Sequence, residues 1–245
     1  MDKLKWVVAA ALGVVLLVVG GTWVYINVIR DDPPERLTFD AADQEHGSDA
    51  GDTDATDTTD GTEPATDDGT PVELEGRWEV SPGSVVGYRV GEILFGQTTE
   101  GVGRTEDVEG HLVIEGTTVT DATFVADMTT VESDDSRRDR QFQGRIMDTD
   151  SHPTATLELA EPIELDSIPE VGDILETTAS VTLTLRGTTR TVPVDLRARR
   201  GTAAIEIDGS LEVVFEEWGI PNPSTTGITT EDTGELEFLL VLARA

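Results

Sequence analysis

The sequence predicts an all-β fold, an antiparallel barrel of about eight strands carrying one short helix, set behind an N-terminal transmembrane helix and a disordered acidic linker. Three observations predict it. From Leu74 onward apolar residues recur with period two in a series of short segments. One pair of these segments, Ala179 to Leu196, reads as a β-hairpin. Before them, Trp6 to Ile29 is an apolar run without a charge, followed by a stretch dominated by Asp, Thr and Gly.

The hairpin is the firmest element. Val181, Leu183 and Leu185 alternate with Thr182 and Thr184, and after a polar turn Val192, Val194 and Leu196 resume the period. Gly187 suits a turn that needs positive φ, and threonine and valine suit a pleated surface. Pro193 cannot donate to a ladder, so it marks a bulge or a place where the second arm lies unpaired.

Residues 1–30 are read as a membrane anchor. The run is long enough to cross the roughly 30 Å hydrocarbon layer as a helix, with Trp6 at one end and Trp23 and Tyr25 at the other as interfacial residues. An uncleaved anchor is preferred to a signal peptide because no small-x-small site stands clearly after the run. Lys3 and Lys5 precede it and Arg30 and Arg36 follow, so the flanking charge is nearly even. The five-residue leader favours an extracytoplasmic C-terminal part, giving a single-pass protein of the cytoplasmic membrane.

Residues 31–73 are read as a disordered linker. The segment Asp49 to Glu63 is acidic, of low complexity and almost free of large apolar residues, so it cannot offset the entropy of ordering. Like charges extend it, holding the folded part away from the membrane. Its aspartates do not form a calcium loop: counting back from Gly61, the first and third ligand positions fall on Thr56 and Thr58.

Residues 74–245 form the barrel domain. Its strands are expected at Ser84–Val90, Gly110–Ile114, Val119–Met128, Thr154–Leu159, the two hairpin arms, Thr202–Ile207, Ser210–Phe215 and Glu235–Ala243. A meander with one apolar face escapes open edges by closing on itself. Ser136 to Met147 lacks the period-two pattern and suits a short helix, with Ser136 as its cap. Leu239 and Val241 make the second face of the last strand partly apolar, so a second layer is expected there, most simply this helix.

The formal charge of -32 excludes nucleic acid as a partner, and the absence of cysteine excludes thiolate metal sites and thiol catalysis. His111 and His152 stand alone without metal-ligand spacing. No nucleophile elbow or phosphate loop is present, so neither an enzyme nor a cofactor is expected. An envelope hydrolase would need a facing pair of buried carboxylates.

Several stretches resemble the YceI-like family of exported, lipocalin-like proteins. They are Trp78 through Ser84 and Tyr88 to Val90, Thr130 to Met147 with Arg138-Asp139, His152-Pro153-Thr154, Leu183 to Val192, and Glu217-Trp218-Gly219. The likeness spans about Arg77 to Ala245. The sequence departs from the family pattern at His152, at Ser81 and at Glu216-Glu217-Trp218. The resemblance implies an elongated lipocalin-like barrel with a long apolar cavity for an isoprenoid chain, a quinone or polyprenyl lipid, and no catalysis.

A tube for an alkyl chain needs inward apolar and aromatic side chains and a few polar groups at its mouth. The candidates are Trp78, Val86, Tyr88, Val90, Phe95, Phe124, Phe142 and Trp218, each of which also suits plain core packing. Arg138 and Asp139 are candidates for a headgroup, or for a structural ion pair. Arg186 and Arg190 are expected in solvent. The competing expectation is an envelope interaction module whose barrel is filled by its own side chains.

Overall fold

A computed structural model describes residues 33–48, 73–94, 96–225 and 227–245. The apolar run Trp6–Ile29, most of the acidic stretch and Phe95 lie outside the described residues. Among the described residues no helix is long and apolar enough to cross a membrane.

Eight strands close into an antiparallel ring. In ring order they are β1 (Gly76–Val80), β4 (Val108–Glu115), β5 (Thr118–Asp127), β7 (Thr154–Leu159), β9 (Ile174–Leu185), β10 (Thr188–Arg200), β11 (Ala204–Val214) and β13 (Thr233–Arg244), which pairs β1 again. β13 is long enough to serve two neighbours on one side. Its end pairs β1, Val80 opposite Leu242, and its beginning pairs β2 (Val85–Leu94), with Leu239 opposite Val85 and Glu235 opposite Arg89. β3 (Gln97–Thr105) and the two-residue β6 (Glu132–Ser133) extend the sheet from β2. The short β8 (Ile163–Glu164) and β12 (Ile228–Thr230) flank β5 and β2.

Where the chain passes from β1 to β2, Ser81 and Ser84 take over the ladder. Ser81 N–H donates to the Val241 carbonyl at 2.8 Å, and the buried Ser84 hydroxyl accepts from Val241 N–H at 2.9 Å. These bonds leave the backbone of the half-buried Val241 satisfied in the gap.

The β9–β10 hairpin turns on Arg186 and Gly187, both at positive φ, the signature of a two-residue type I′ turn. Pro193 makes no bulge. It stands in register opposite Ser180, and on its other side the β11 ladder begins only at Asp195, so no partner strand is there for the absent N–H.

Three further expectations need correction. The segments Thr202–Ile207 and Ser210–Phe215 are one strand, β11, because Gly209 stays in the ladder opposite Phe238. The helix α2 (Ser136–Gln141) is capped by Asp135, whose carboxylate accepts from Arg137 N–H at 2.8 Å, and from Phe142 to Ile146 it widens into a π turn. The expected linker is ordered at its start. Residues 33–48 lie on the barrel, and Phe39–Ser48 forms helix α1, with the Thr38 hydroxyl accepting from Ala41 N–H at 3.1 Å. The physical reason is Phe39, which has no exposed surface. This segment, rather than α2, covers the outer wall over β11, where Asp208 stands opposite the outward-facing, buried Leu239.

Candidate functional site

The barrel is hollow. Inward positions along the strands follow the two-residue period, among them Leu112 and Ile114 on β4, Leu157 and Leu159 on β7, and Leu236, Phe238 and Leu240 on β13. Between these large residues stand Ala122, Ala126, Ala155, Ala179 and Ala198, whose short side chains leave the axis unfilled. The result is an inner cavity of about 150 Å³ with an almost wholly apolar wall.

A second cavity of about 110 Å³ adjoins it at the end where β2, α2 and the π turn meet. Val86, Ala155 and Leu236 belong to the walls of both, so the two chambers adjoin. At the far end of the inner chamber stand Leu165, Pro169, Leu175 and Arg200, beside the exposed Ile168 and Val171 of the β8–β9 connection and Ile174 at the start of β9.

Three wall aromatics lie across glycines on the strand directly opposite. A Cβ on Gly103 would fall 2.4 Å from Tyr88 Cε1, one on Gly209 2.6 Å from Phe238 Cζ, and one on Gly110 2.8 Å from Phe124 Cδ1. Only glycine admits these rings so close to the backbone. The wide side chains therefore sit against the wall and leave the lumen open.

The outer chamber is also walled almost wholly by apolar atoms, with Tyr88, Glu92 and Arg138 among its lining residues. Tyr88 stacks on Phe142 with ring centroids 4.9 Å apart. Burial pushes the Tyr88 phenol above the usual tyrosine range, with Arg138 opposing and the nearby Asp139 and Glu92 adding to the effect. Its hydroxyl stays protonated at neutral pH and is available as a donor. Arg138 pairs with Asp134 and, at 3.6 Å, with Glu92. Burial disfavours charge on Arg138, but Glu92 and Asp134 outweigh it and hold the guanidinium above the usual arginine range. Asp139 is structural: its carboxylate accepts from the Ser133 hydroxyl at 2.6 Å and from Ser133 N–H at 2.9 Å, tying α2 to β6. Among the described residues no group of three or more His, Cys, Asp or Glu is arranged for a metal ion.

A family model for the YceI-like domain matches residues 78–242, well over half of the chain. This chain belongs to the YceI-like family. The family is one of binding proteins, not enzymes. Among solved structures, the YceI-like chain is similar to a polyisoprenoid-binding domain from Saccharophagus degradans implicated in plant cell wall breakdown, with TM-score 0.58, 15% identity and coverage of 70% of this chain and 99% of that one. It is also similar to BcnA of Burkholderia cenocepacia, with TM-score 0.52, 19% identity and coverage of 66% and 98%. At these identities the likeness concerns the fold. A comparison with curated proteins finds no match.

In this YceI-like barrel the sequence-derived candidates separate into two groups. Phe124 lines the inner chamber, Val86 lines both, and Tyr88, Val90, Arg138 and Phe142 line the outer one. Trp78 and Trp218 are buried but line neither. Trp78 donates from Nε1 to the Leu74 carbonyl at 2.8 Å, and Trp218 lies beneath Arg190, whose guanidinium is 5.9 Å from the ring centroid. Phe95 falls outside the described residues. Arg190 is exposed, as expected, and pairs with Glu217 at 2.9 Å, whereas Arg186 is half-buried and donates to the Gly219 carbonyl, so both hairpin arginines reach the Phe215–Trp218 turn. Sequence reasoning missed the alanines, the ring-bearing glycines and Glu92. The Ala122-Phe124-Ala126 alternation was a visible signal of small inward residues, whereas the glycine contacts depend on cross-strand register.

Proposed function

We propose that the protein carries or stores an isoprenoid lipid in the barrel, without catalysis, while its N-terminal segment holds it to the outer face of the cytoplasmic membrane. The observation that carries this reading is the pair of adjoining apolar chambers inside the barrel, the outer of which has Tyr88, Glu92 and Arg138 among its lining residues. A prenyl tail occupies the inner chamber and its headgroup lies beside Tyr88 and Arg138. The similarity to a polyisoprenoid-binding domain supports the choice of guest. The open lumen favours this reading over a barrel filled by its own side chains.

Tail burial contributes about 0.8 kcal/mol per CH2 relative to water. Relative to a bilayer, which is equally apolar, the tail gains little, so exchange is easy and the headgroup decides occupancy. Here the charges argue for a neutral headgroup with oxygen acceptors. Arg138 is already compensated by Glu92 and Asp134. A pyrophosphate would meet this acidic surround, whereas a quinone carbonyl or polyprenol oxygen needs only a donor such as the Tyr88 hydroxyl.

Mass spectrometry of organic extracts of the purified full chain tests the proposal. A prenyl lipid present near one per protein is the expected result. Absence of any prenyl lipid, together with no uptake from vesicles doped with quinone or polyprenol, overturns it.

A further inference from the structure

The ordered start of the expected linker is held by a built site on the outside of the barrel. Arg89 donates to the Pro34 carbonyl at 2.8 Å, and Arg104 donates to the Glu35 carbonyl. Arg36 pairs with Glu235 at 2.6 Å. Phe39 N–H donates to the buried Asp208 carboxylate at 3.0 Å, while its ring lies between the guanidinium groups of Arg197 and Arg199, 4.4 and 4.6 Å from its centroid. Those two arginines also take Asp40 at 2.8 Å and Asp43 at 2.5 Å.

The barrel side of this site is organised by its own charges. Glu237 faces outward from β13 yet is only 2% exposed, bound by Arg89 and Arg104. Asp208 and Glu206 orient Arg197 and Arg199 at 2.7 and 2.6 Å. The arginines are thus held by acids of the barrel itself, with donors placed for the segment's carbonyls and acids and a cationic surface for one aromatic ring.

We propose that this outer wall is a docking site for a short aromatic-acidic peptide, filled by the chain's own residues 33–43, which act as a releasable clamp on the N-terminal segment. Most of the contacts are polar and several partners are half exposed, so the clamp opens without disrupting the barrel. Clamped, the barrel is fixed close to residue 33; released, the whole of residues 31–73 separates it from the N-terminal apolar run. The clamp stands on the contacts above. Its use, switching a lipid carrier between a short and a long leash, rests on the membrane-held carrier reading.

The test uses the full chain in detergent with a protease recognition sequence inserted between Asp54 and Asp57, immobilised through an N-terminal tag. After cleavage the barrel stays on the resin if the clamp holds it. The expected result is retention of most of the barrel, at least tenfold greater loss into the wash for Phe39→Ala, and rescue by Phe39→Trp. Release of the wild-type barrel with native tryptophan fluorescence overturns the proposal, as does retention of Phe39→Ala equal to wild type. Unfolding of the barrel in Phe39→Ala also overturns it, since the segment is then a fixed part of the fold. Prenyl lipid content is measured on the same fractions: its absence with the clamp intact counts against the carrier and leaves the docking site standing.

Discussion

Tyr88 lies flat over Gly103, its directly opposed neighbour on β3, so close that a Cβ there would also stand 2.8 Å from Tyr88 Cζ. This recess is what allows the Tyr88 ring both to stack on Phe142 and to leave the outer chamber open. Gly103→Ala forces the ring into the lumen. The expected cost is about 1–3 kcal/mol of stability, as for other overpacked interiors, with loss of bound lipid, read from denaturant melts and extracts. Gly144→Ala is the control: a Cβ at Gly144 meets nothing within 4 Å, so that variant matches or slightly exceeds wild type.

Burial of the same phenol predicts a response to alkali. The folded state holds the Tyr88 proton more tightly than the unfolded state, so above the ordinary tyrosine pKa of about 10 the folded protein binds more protons and stability falls as pH rises. Below that pH the contribution is fully present. The sequence has two tyrosines, so ultraviolet titration of the folded protein should show the Tyr88 phenolate only as the barrel opens. Tyr88→Phe should flatten the loss of stability above pH 10.

Much of this architecture is legible in the sequence because period-two alternation follows directly from one buried face. The hairpin over Val181 to Val194 and the strand Thr154–Leu159 come from that rule alone. β3 does not, since Gln97 to Thr105 is polar and rich in glycine; its place is decided by Tyr88 and Arg89 on the neighbouring strand. The two candidate tryptophans failed to reach the tube for a related reason. Residue type alone singles them out, whereas the lumen is set by strand parity and by alanines such as Ala155 and Ala179. Phe39 does not stand out in the sequence because its surroundings are acidic and its burial depends on two arginines far along the chain.

The outward-facing ion cluster beneath the N-terminal segment gives a third prediction. Glu237, itself buried, binds the buried Arg89 and the half-buried Arg104, while Glu100, also bound to Arg89, is 43% exposed. Glu237→Gln leaves two guanidinium groups short of a buried counter-charge, at a cost of about 3 kcal/mol. Glu100→Gln removes a pair open to solvent and should cost less than about 1 kcal/mol. Equal effects in thermal or denaturant melts would show that the cluster contributes no more than a surface pair.

The neck between the chambers gives the sharpest functional test. Ala155, on β7 in register with Ala126 of β5, belongs to both walls, so one larger side chain there acts on the passage itself. Ala155→Phe places an aromatic ring across the tube. A guest whose tail lies in the inner chamber and whose headgroup lies beside Tyr88 must cross that point, so lipid per protein should fall by tenfold or more. Stability should change by about 1–3 kcal/mol in either direction, because the added ring fills space while straining its neighbours. Thr182→Val is the control: Thr182 stands opposite Thr191 on β10, lines neither chamber and leaves the small side chain at the neck unchanged. Unchanged lipid content in Ala155→Phe, with the fold intact, would mean that the guest does not thread both chambers.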